Sequence, residues 1–453
     1  MAHTNCILIN CDDLGYGDLG CYGSTVNSSP AIDRLAAEGM RFTSFYAASP
    51  VCSPSRAALM TGCYPPRVGI NRVLFPGEGL GLSSSEYTLP RMLRDAGYAT
   101  MIIGKWHCGD QPEFLPDRFG FDDYYGIPYS NDMGMQTGRD DKDRFPPLPL
   151  LAGDAVLEQQ PDQTCLTERY VEQGIRFIRK NRDHPFFLYL AHMHVHLPLY
   201  APARFVRESK NGDFGACVAS VDWSLACLMD EVKRLGLYED TIFIFTSDNG
   251  SRGDHGASNA PLRGAKFTTW EGGMRVPFII HWKGRIAPGQ VNNAIAGNID
   301  LLPTIAALTG QKMAAPHPID GVDLSAACSH PDAAPRGEFA YFAQGADNTA
   351  SLQAVRKGRW KAFFNRDGQA VRELYDLDAD IGENRDVHAD HTDVMDDLHA
   401  VYKRYEDMLG NAFSGVTGRE NRPCATVSNP RTLTVYDENH PYIIAMYDKS
   451  DVG

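Results

Sequence analysis

Four short apolar runs, unbroken rather than alternating, each stop at a cluster of polar residues of catalytic type, and this pattern restricts the chain more than any other feature. Cys6-Ile7-Leu8-Ile9 leads into Cys11-Asp12-Asp13, and Ala99-Thr100-Met101-Ile102-Ile103 leads into Gly104-Lys105-Trp106-His107. Phe186-Phe187-Leu188-Tyr189-Leu190 precedes His192, His194 and His196, and Thr241-Ile242-Phe243-Ile244-Phe245 precedes Ser247-Asp248-Asn249-Gly250. Continuous runs of this length read as strands buried on both faces of a parallel sheet. Helical segments lie between them at 31–38, flanked by Pro30 and Gly39, at 89–96, closed by Gly97, and at 167–180. A longer one at 217–235 sets Val218, Val221, Leu225, Leu228, Met229 and Val232 on one face before Gly236 stops it. The alternation predicts a doubly wound α/β fold, a large, mostly parallel sheet covered by helices on both faces. Such sheets bind ligands beyond the carboxyl ends of their strands, which is where all four polar clusters fall.

The 453 residues exceed one minimal core and suit a large domain with a smaller one. Residues 109–163 are rich in Pro, Asp and Gly without periodicity and read as a long irregular excursion over the active face. Composition turns linker-like at Ser329-His330-Pro331-Asp332-Ala333-Ala334-Pro335. Beyond it, 339–342, 352–355 and 360–364 read as strands of an antiparallel sheet, followed by a helix at about 390–408 and a turn-rich tail. The expected division is a catalytic domain over 1–332 and a C-terminal α+β subdomain with extended tail over 333–453.

A formal net charge of -14 argues against a nucleic-acid partner, whose binding needs clustered Lys and Arg. It leaves room for a small anion held by a few convergent cations in a cleft. No run approaches the roughly 18 apolar residues of a membrane helix, so no membrane partner is expected. No signal peptide is read, which places the chain in the cytoplasm, or in the periplasm or outside the cell if a leader precedes this sequence. Eleven cysteines, an odd number without zinc-ligand spacing, suggest neither a disulfide framework nor a zinc ribbon, and most read as reduced core residues.

Cys52-Ser53-Pro54-Ser55-Arg56 places a small nucleophile one step before a helix that starts at Pro54 and ends at Gly62. Helix-end N–H groups and the dipole would lower a thiol's pKa there and hold an oxyanion. The same segment also reads as an ordinary half-buried cysteine at a cap. Asp12, Asp13, Asp248 and Asn249 offer oxygen ligands from two strand ends, a set suited to a hard cation, Ca²⁺, Mg²⁺ or Mn²⁺, better than to zinc. Either Asp pair alone reads as turn chemistry; two at equivalent strand ends do not. Lys105 and His107, two apart on an extended segment, can point to one side, and they also read as a solvated lysine and a core histidine. His192, His194 and His196 alternate and share a face; His196 is read as catalytic, His194 as lying behind it or against substrate, and His192 as structural.

Taken together these residues resemble the type I sulfatases of the alkaline phosphatase superfamily, in the branch that contains arylsulfatase A and N-acetylgalactosamine-6-sulfatase. Cys52-Ser53-Pro54-Ser55-Arg56 fits the C-x-P-x-R signature, and Gly104-Lys105-Trp106-His107, His194-Val195-His196-Leu197-Pro198, Ser247-Asp248-Asn249-Gly250, Gly126-Ile127-Pro128-Tyr129-Ser130 and Lys266-Phe267-Thr268-Thr269-Trp270-Glu271-Gly272-Gly273 follow in the family's manner. The resemblance runs from about Asn5 to Leu308, more weakly to Glu373-Leu374-Tyr375-Asp376-Leu377, and is lost from Gly410 onward.

The resemblance implies an alkaline phosphatase-like fold and a sulfuric ester hydrolase in which a formylglycine-generating enzyme converts Cys52 to formylglycine. One hydroxyl of the hydrated aldehyde attacks sulfur, and the other later expels sulfate. Asp12, Asp13, Asp248 and Asn249, with residue 52, would hold Ca²⁺. Arg56 would offset the charge of the diol, Lys105 and Lys266 would bind sulfate oxygens, His107 would take a proton during sulfate release, and His196 would protonate the leaving oxygen. Ser130 would orient a hydroxyl or a lysine. The implied substrate is a small sulfated saccharide such as a sulfated N-acetylgalactosamine or galactose, with aryl or steroid sulfates second. A phosphodiester or phosphonate monoester hydrolase of the same superfamily is the rival enzyme, and a non-catalytic anion-binding module the rival of another class. Specificity is expected from 109–163, the loop after Pro198 and the tail.

Overall fold

The computed structural model of the chain describes residues 4–136, 145–442, 447–451 and 453. Its four apolar runs are neighbouring parallel strands, Thr241–Ser247, Asn5–Cys11, Phe186–Ala191 and Ala99–Gly104, at the centre of a ten-stranded sheet. Asp123–Gly126 extends the parallel set, and Pro149–Ala152 and Ala155–Gln159 close that edge in antiparallel pairings. On the other edge Phe278–Trp282 and Met40–Phe42 pair antiparallel, and Gln290–Asn292 joins in parallel. The sheet is therefore mixed, parallel through the middle and antiparallel toward both flanks.

Side chains of the central strand alternate between two apolar layers. Ile7, Ile9 and Cys11 join the cluster built by the helices Pro30–Glu38, Leu166–Lys180 and Gly212–Arg234. Cys6 and Leu8 face the helices Cys52–Thr61, Leu89–Asp95 and Leu301–Thr309. Both layers are dry, so the strand has no wet face to encode and its run is continuous. Burial of each large apolar side chain contributes roughly 1.5–3 kcal/mol.

The excursion expected at 109–163 is largely ordered, and it supplies three strands of the main sheet. Ala155–Gln159 escapes notice because Ala155, Val156, Leu157 and Glu158 are exposed, and Asp123–Gly126 and Pro149–Ala152, though mostly buried, are only four residues long each. Residues 137–144 of that stretch lie outside the described residues. The helix expected from Cys217 begins earlier, at Gly212.

The C-terminal sheet has four antiparallel strands in chain order, Glu338–Gln344, Ala350–Lys357, Trp360–Arg366 and Gln369–Asp376, with the helix Thr392–Leu409 packed on its middle. The fourth strand is mostly solvent-facing and polar at its start, and sequence reading leaves it out. One core cluster joins Phe339, Tyr341, Phe363 and Tyr402 to Tyr46, Ala58, Tyr64 and Met274, so this sheet packs directly behind the helix Cys52–Thr61. The tail returns to the first part of the chain. Ala425–Thr426 pairs with Leu80–Gly81, and Arg422 pairs with Glu86 at 2.7 Å. None of the eleven cysteines is disulfide-bonded, and no helix among the described residues is long and apolar enough to cross a membrane.

The helix Pro30–Glu38 has no side-chain cap from its own N-cap residue, Ser29. Asp222, on another helix, replaces it: one carboxylate oxygen accepts the N–H groups of Ala31 and Ile32, both at 2.8 Å. Asp222→Ala should lower stability by about 1–2 kcal/mol, whereas Asp222→Asn, which keeps the accepting oxygen, should lose less than half of that. Urea midpoints would settle it; equal losses for the two variants would refute the capping role.

Candidate active site

Strand register decides what meets at the carboxyl edge of the sheet. Cys11 pairs with Ser247, Asn10 with Ala191, and Ala191 with Gly104, so Asp12, Asp248, His192 and Lys105 each follow a strand end in one row. Backbone bonds continue the row beyond the strands: Asp248 N–H donates to the Cys11 carbonyl at 3.0 Å, His192 N–H to Asn10 at 2.9 Å, and Lys105 N–H to Ala191 at 2.8 Å. Gly104 makes this approach possible, since at its φ of +102° a Cβ would sit 1.9 Å from the Ala191 carbonyl oxygen.

Against this row lies the helix Cys52–Thr61, with Val51 as N-cap and Gly62 in the left-handed region as C-cap. It starts two residues before the expected Pro54, because the first four N–H groups of a helix need no internal partner and a proline third in the helix breaks nothing. Cys52 is thus inside the first turn and only 2% exposed. The lowered thiol pKa expected there is not found. Burial pushes the Cys52 thiol up, and the nearby Lys105 and Lys266 only partly offset it. The hydroxyl of Ser55 donates to the Asp248 carbonyl and accepts from Asn298 Nδ2 at 2.9 Å, which fastens the helix to the strand end.

Each carboxylate has its own cation. Arg56 donates Nε to Asp248 Oδ2 at 2.8 Å and Nη1 to the Lys105 carbonyl at 2.9 Å. Lys105 Nζ is 2.6 Å from Asp12 Oδ2, and Lys266 Nζ is 2.8 Å from Asp13 Oδ2. Burial alone would raise the Asp12 carboxyl, but Lys105, His196, Arg56 and Lys266 hold it well below the usual range. Asp248 is pushed up, by burial first and then by the negative Asp12 facing it.

The same oxygens test whether a metal fits. Asp12 Oδ1 and Asn249 Oδ1 are buried acceptors without a hydrogen-bond partner, and Asn249 Nδ2 donates to Asp13 Oδ1 at 2.7 Å. Orphaned acceptors of this kind cost about 1–3 kcal/mol each. Oxygen ligands from three carboxylates and an amide fit a hard divalent cation such as Ca²⁺, which would satisfy both orphans. Among the described residues, Asp12, Asp13 and His196 also bring possible ligand atoms within 4.8 Å of one another.

The three histidines do not share a face, because the strand ends at Ala191 and the chain turns. His192 bonds Ser224 of the helix Gly212–Arg234 at 2.8 Å. His194 is fully buried beside Asp12, with neither ring nitrogen hydrogen-bonded and its pKa lowered by burial to about 4. Like Lys105 and Arg56 it is buried below the cavity lining, and it lies beside Asp12. His196 faces the site: Nδ1 donates to the Leu197 carbonyl at 2.6 Å, and Nε2 is 3.3 Å from Ser130 Oγ and 3.8 Å from Asp13 Oδ2. Ser130 Oγ also accepts from Lys105 Nζ at 3.2 Å. His107 donates Nε2–H to the Leu74 carbonyl at 2.9 Å, leaving Nδ1 a buried acceptor without a partner. Burial, and then Lys105, keep this ring neutral.

A cavity of about 540 Å³ opens over these groups, with Cys52, His107, Ser130, His196 and Lys266 in its lining. Ser130, Asp132 and Met133 come from the 109–163 stretch, and Gly453 of the tail donates its N–H to Asp132 Oδ2 at 3.2 Å. The loop after Pro198 does not line the cavity; its Tyr200 hydroxyl instead accepts the Lys449 N–H at 3.2 Å. Sequence reading misses Arg72, Phe75, Phe267 and Gln344 in the wall. Arg72 and Phe75 follow no periodic segment, and Gln344 ends a strand of the other sheet, so no local signal marks them.

Residues 4–311 match the family described as sulfatase, and residues 265–407 match the one described as N-sulphoglucosamine sulphohydrolase, C-terminal. The chain is 39% identical to human arylsulfatase A over 424 residues, covering 84% of this chain and 82% of the relative. It is 38% identical to N-acetylgalactosamine-6-sulfatase of Rattus norvegicus over 383 residues, covering 80% and 71%. The solved structure of Ps i-CgsB in complex with k-i-k-neocarrahexaose superposes with a TM-score of 0.78 at 30% identity, over 89% of this chain and 92% of that one.

The donor set has a direct consequence for stability. Calcium at a hundredfold its dissociation constant should stabilise the fold by about 2.7 kcal/mol, seen as a rise in Tm that a chelator reverses. Asp12→Asn should abolish that rise. A wild-type Tm indifferent to Ca²⁺, Mg²⁺ and Mn²⁺ would rule the metal site out.

Proposed function

The chain belongs to the sulfatase family and is a sulfuric ester hydrolase, and we propose that it cleaves sulfate monoesters of saccharides at position 52 once Cys52 has been converted to formylglycine. The observation that carries this reading is the floor of the cavity, where Cys52, its thiol kept protonated by burial, and Lys266 face the opening, with Lys105 and Arg56 buried beneath them. A neutral thiol is a poor nucleophile, whereas three fixed cations suit a tetrahedral oxyanion. Formylglycine at this position would supply a hydrated aldehyde whose hydroxyl attacks sulfur. A hard cation held by Asp12, Asp13, Asp248 and Asn249 would supply Lewis acidity at a sulfate oxygen.

The chain's own groups then have distinct tasks. Lys105 and Lys266 bind the sulfate oxygens where negative charge grows in the transition state. Arg56, held by Asp248, offsets charge at position 52. The unpartnered Nδ1 of His107 accepts a proton there, and His196, whose Nδ1–H stays on the Leu197 carbonyl, donates one to the departing oxygen from Nε2 once that nitrogen has itself been protonated. Ser130, within reach of both Lys105 and His196, keeps ammonium and imidazole in register.

The wall supports a sugar as the leaving alcohol. Phe267, next to Lys266, is 44% exposed and lines the cavity together with Asp132 and Gln344. An apolar ring face flanked by a carboxylate and an amide matches a pyranose, which has C–H faces and a rim of hydroxyls. Two of the similar proteins carry names or bound molecules of saccharide type.

Mature protein made with a formylglycine-generating enzyme should show, by mass spectrometry of the peptide with residue 52, loss of the thiol. It should turn over an aryl sulfate far faster than an aryl phosphate diester, and Cys52→Ala should lose at least about 10³-fold in kcat/KM. An unaltered thiol with Cys52→Ala fully active would end the proposal; a preference for the diester would reassign the enzyme to phosphoryl chemistry. For the wall, Phe267→Ala should raise KM for a galactosamine sulfate by about tenfold, the equivalent of 1.4 kcal/mol of lost stacking and burial, and leave a small aryl sulfate within about twofold. Equal losses on both substrates would remove Phe267 from sugar recognition.

A further inference from the structure

The segment that carries Lys266 is held from two sides. Its first half is tied to the catalytic part, through Lys266 N–H to the Ser251 carbonyl at 2.9 Å and Phe267 N–H to the Pro50 carbonyl at 3.0 Å. Its second half is tied to the C-terminal sheet. Lys361, fully buried on the strand Trp360–Arg366, donates Nζ to the Thr269 carbonyl at 2.8 Å and lies 3.0 Å from Glu271 Oε1 and 2.8 Å from Glu383 Oε1. Glu383 Oε2 accepts the Glu271 N–H at 2.8 Å, and the Thr269 hydroxyl donates to Gln353 Oε1 at 2.5 Å. Tyr46, Tyr341 and Arg275 supply Glu271 with further donors at 2.6, 2.9 and 3.2 Å.

The segment has no slack to absorb a change in these anchors. Gly273 packs so closely that a Cβ would lie 2.0 Å from the Thr268 carbonyl oxygen, and only Phe267 and Thr268 separate Lys266 from Thr269. A buried ammonium between two buried carboxylates gives no stability that apolar side chains of equal volume would not give. What it does give is a fixed place for each group it touches, and here those groups are the backbone of the segment itself.

We propose that Lys361 is a positioning residue, which acts through Thr269 and Glu271 to hold Lys266 against Asp13 and so lets the C-terminal sheet set how strongly the site grips a tetrahedral anion. The inference rests on the reading of Lys266 as a sulfate ligand. It touches no reacting atom, so its signature is coupling rather than loss alone.

The test is a cycle of four mature full-length proteins, wild type, Lys361→Met, Lys266→Ala and the double variant, read by kcat and KM on an aryl sulfate and by calorimetric affinity for inorganic sulfate. Lys361→Met alone should lower kcat/KM and sulfate affinity about tenfold or more, but change either by less than about twofold once Lys266 is alanine. Losses that multiply, or a Lys361→Met that lowers only Tm, would overturn the proposal. If Lys361→Met does not fold, Gln353→Ala, which loosens Thr269 without leaving a buried charge, goes through the same cycle with the same criterion. Wild-type turnover tests the sulfatase reading on its own. Coupled sulfate affinities without turnover would keep the positioning role and lose the reaction, and independent losses with normal turnover would do the reverse.

Discussion

Lys105 sits 2.6 Å from one oxygen of Asp12, and no group donates to the other. Much of the molecule follows from that half-satisfied carboxylate at the end of the central strand. Charges buried this deeply persist only when paired, so Asp12 requires Lys105, Asp248 requires Arg56 and Asp13 requires Lys266. Those three pairs draw three strand ends, one helix and one distant segment to a single point. Three carboxylates and three cations sum to zero, so a divalent cation at the orphaned oxygens would leave the floor with an excess of two positive charges. A floor of that sign holds an anion, although the chain as a whole carries a formal charge of -14.

The second sheet belongs to this arrangement. It packs behind the helix that carries Cys52 and Arg56, through Ala58, and it grips the Lys266 segment through Lys361, Gln353 and Glu383. Gln344, at the end of its first strand, also reaches the cavity wall. The C-terminal sheet is therefore a second fixed surface against which the cations of the first are set, and the site lies between two rigid frames.

What the sequence makes legible divides along the same line. A strand buried on both faces must be apolar throughout, so the four central strands stand out, and the register of a parallel sheet sends the residues after them to one edge. The edge strand Ala155–Gln159 and the start of the outer strand Gln369–Asp376 face solvent, and Pro149–Ala152, though apolar and buried, is only four residues long and opens on a proline, so none of the three stands out. The start of the site helix is misread for a different reason: proline is equally harmless at its first and third positions, so Pro54 alone does not place Cys52 outside or inside the first turn. The direction of the thiol's pKa is misread as well, since burial, which outweighs two lysines, has no local sequence code.

The cavity wall is illegible for a reason that also bears on function. The floor residues Asp12, Lys105 and Asp248 sit one step beyond strand ends, where backbone bonds to neighbouring strands leave each side chain little choice of direction. Wall residues such as Phe75, Asp132, Phe267 and Gln344 come from separate loops and from the end of a C-terminal strand, and they adjoin only in the folded chain. A change in Phe75, Asp132 or Gln344 alters the shape offered to the leaving alcohol without removing a member of the three ion pairs beneath. The chemistry of the floor and the choice of substrate are thus carried by different kinds of structure, one fixed by the register of a parallel sheet and the other free to vary around it.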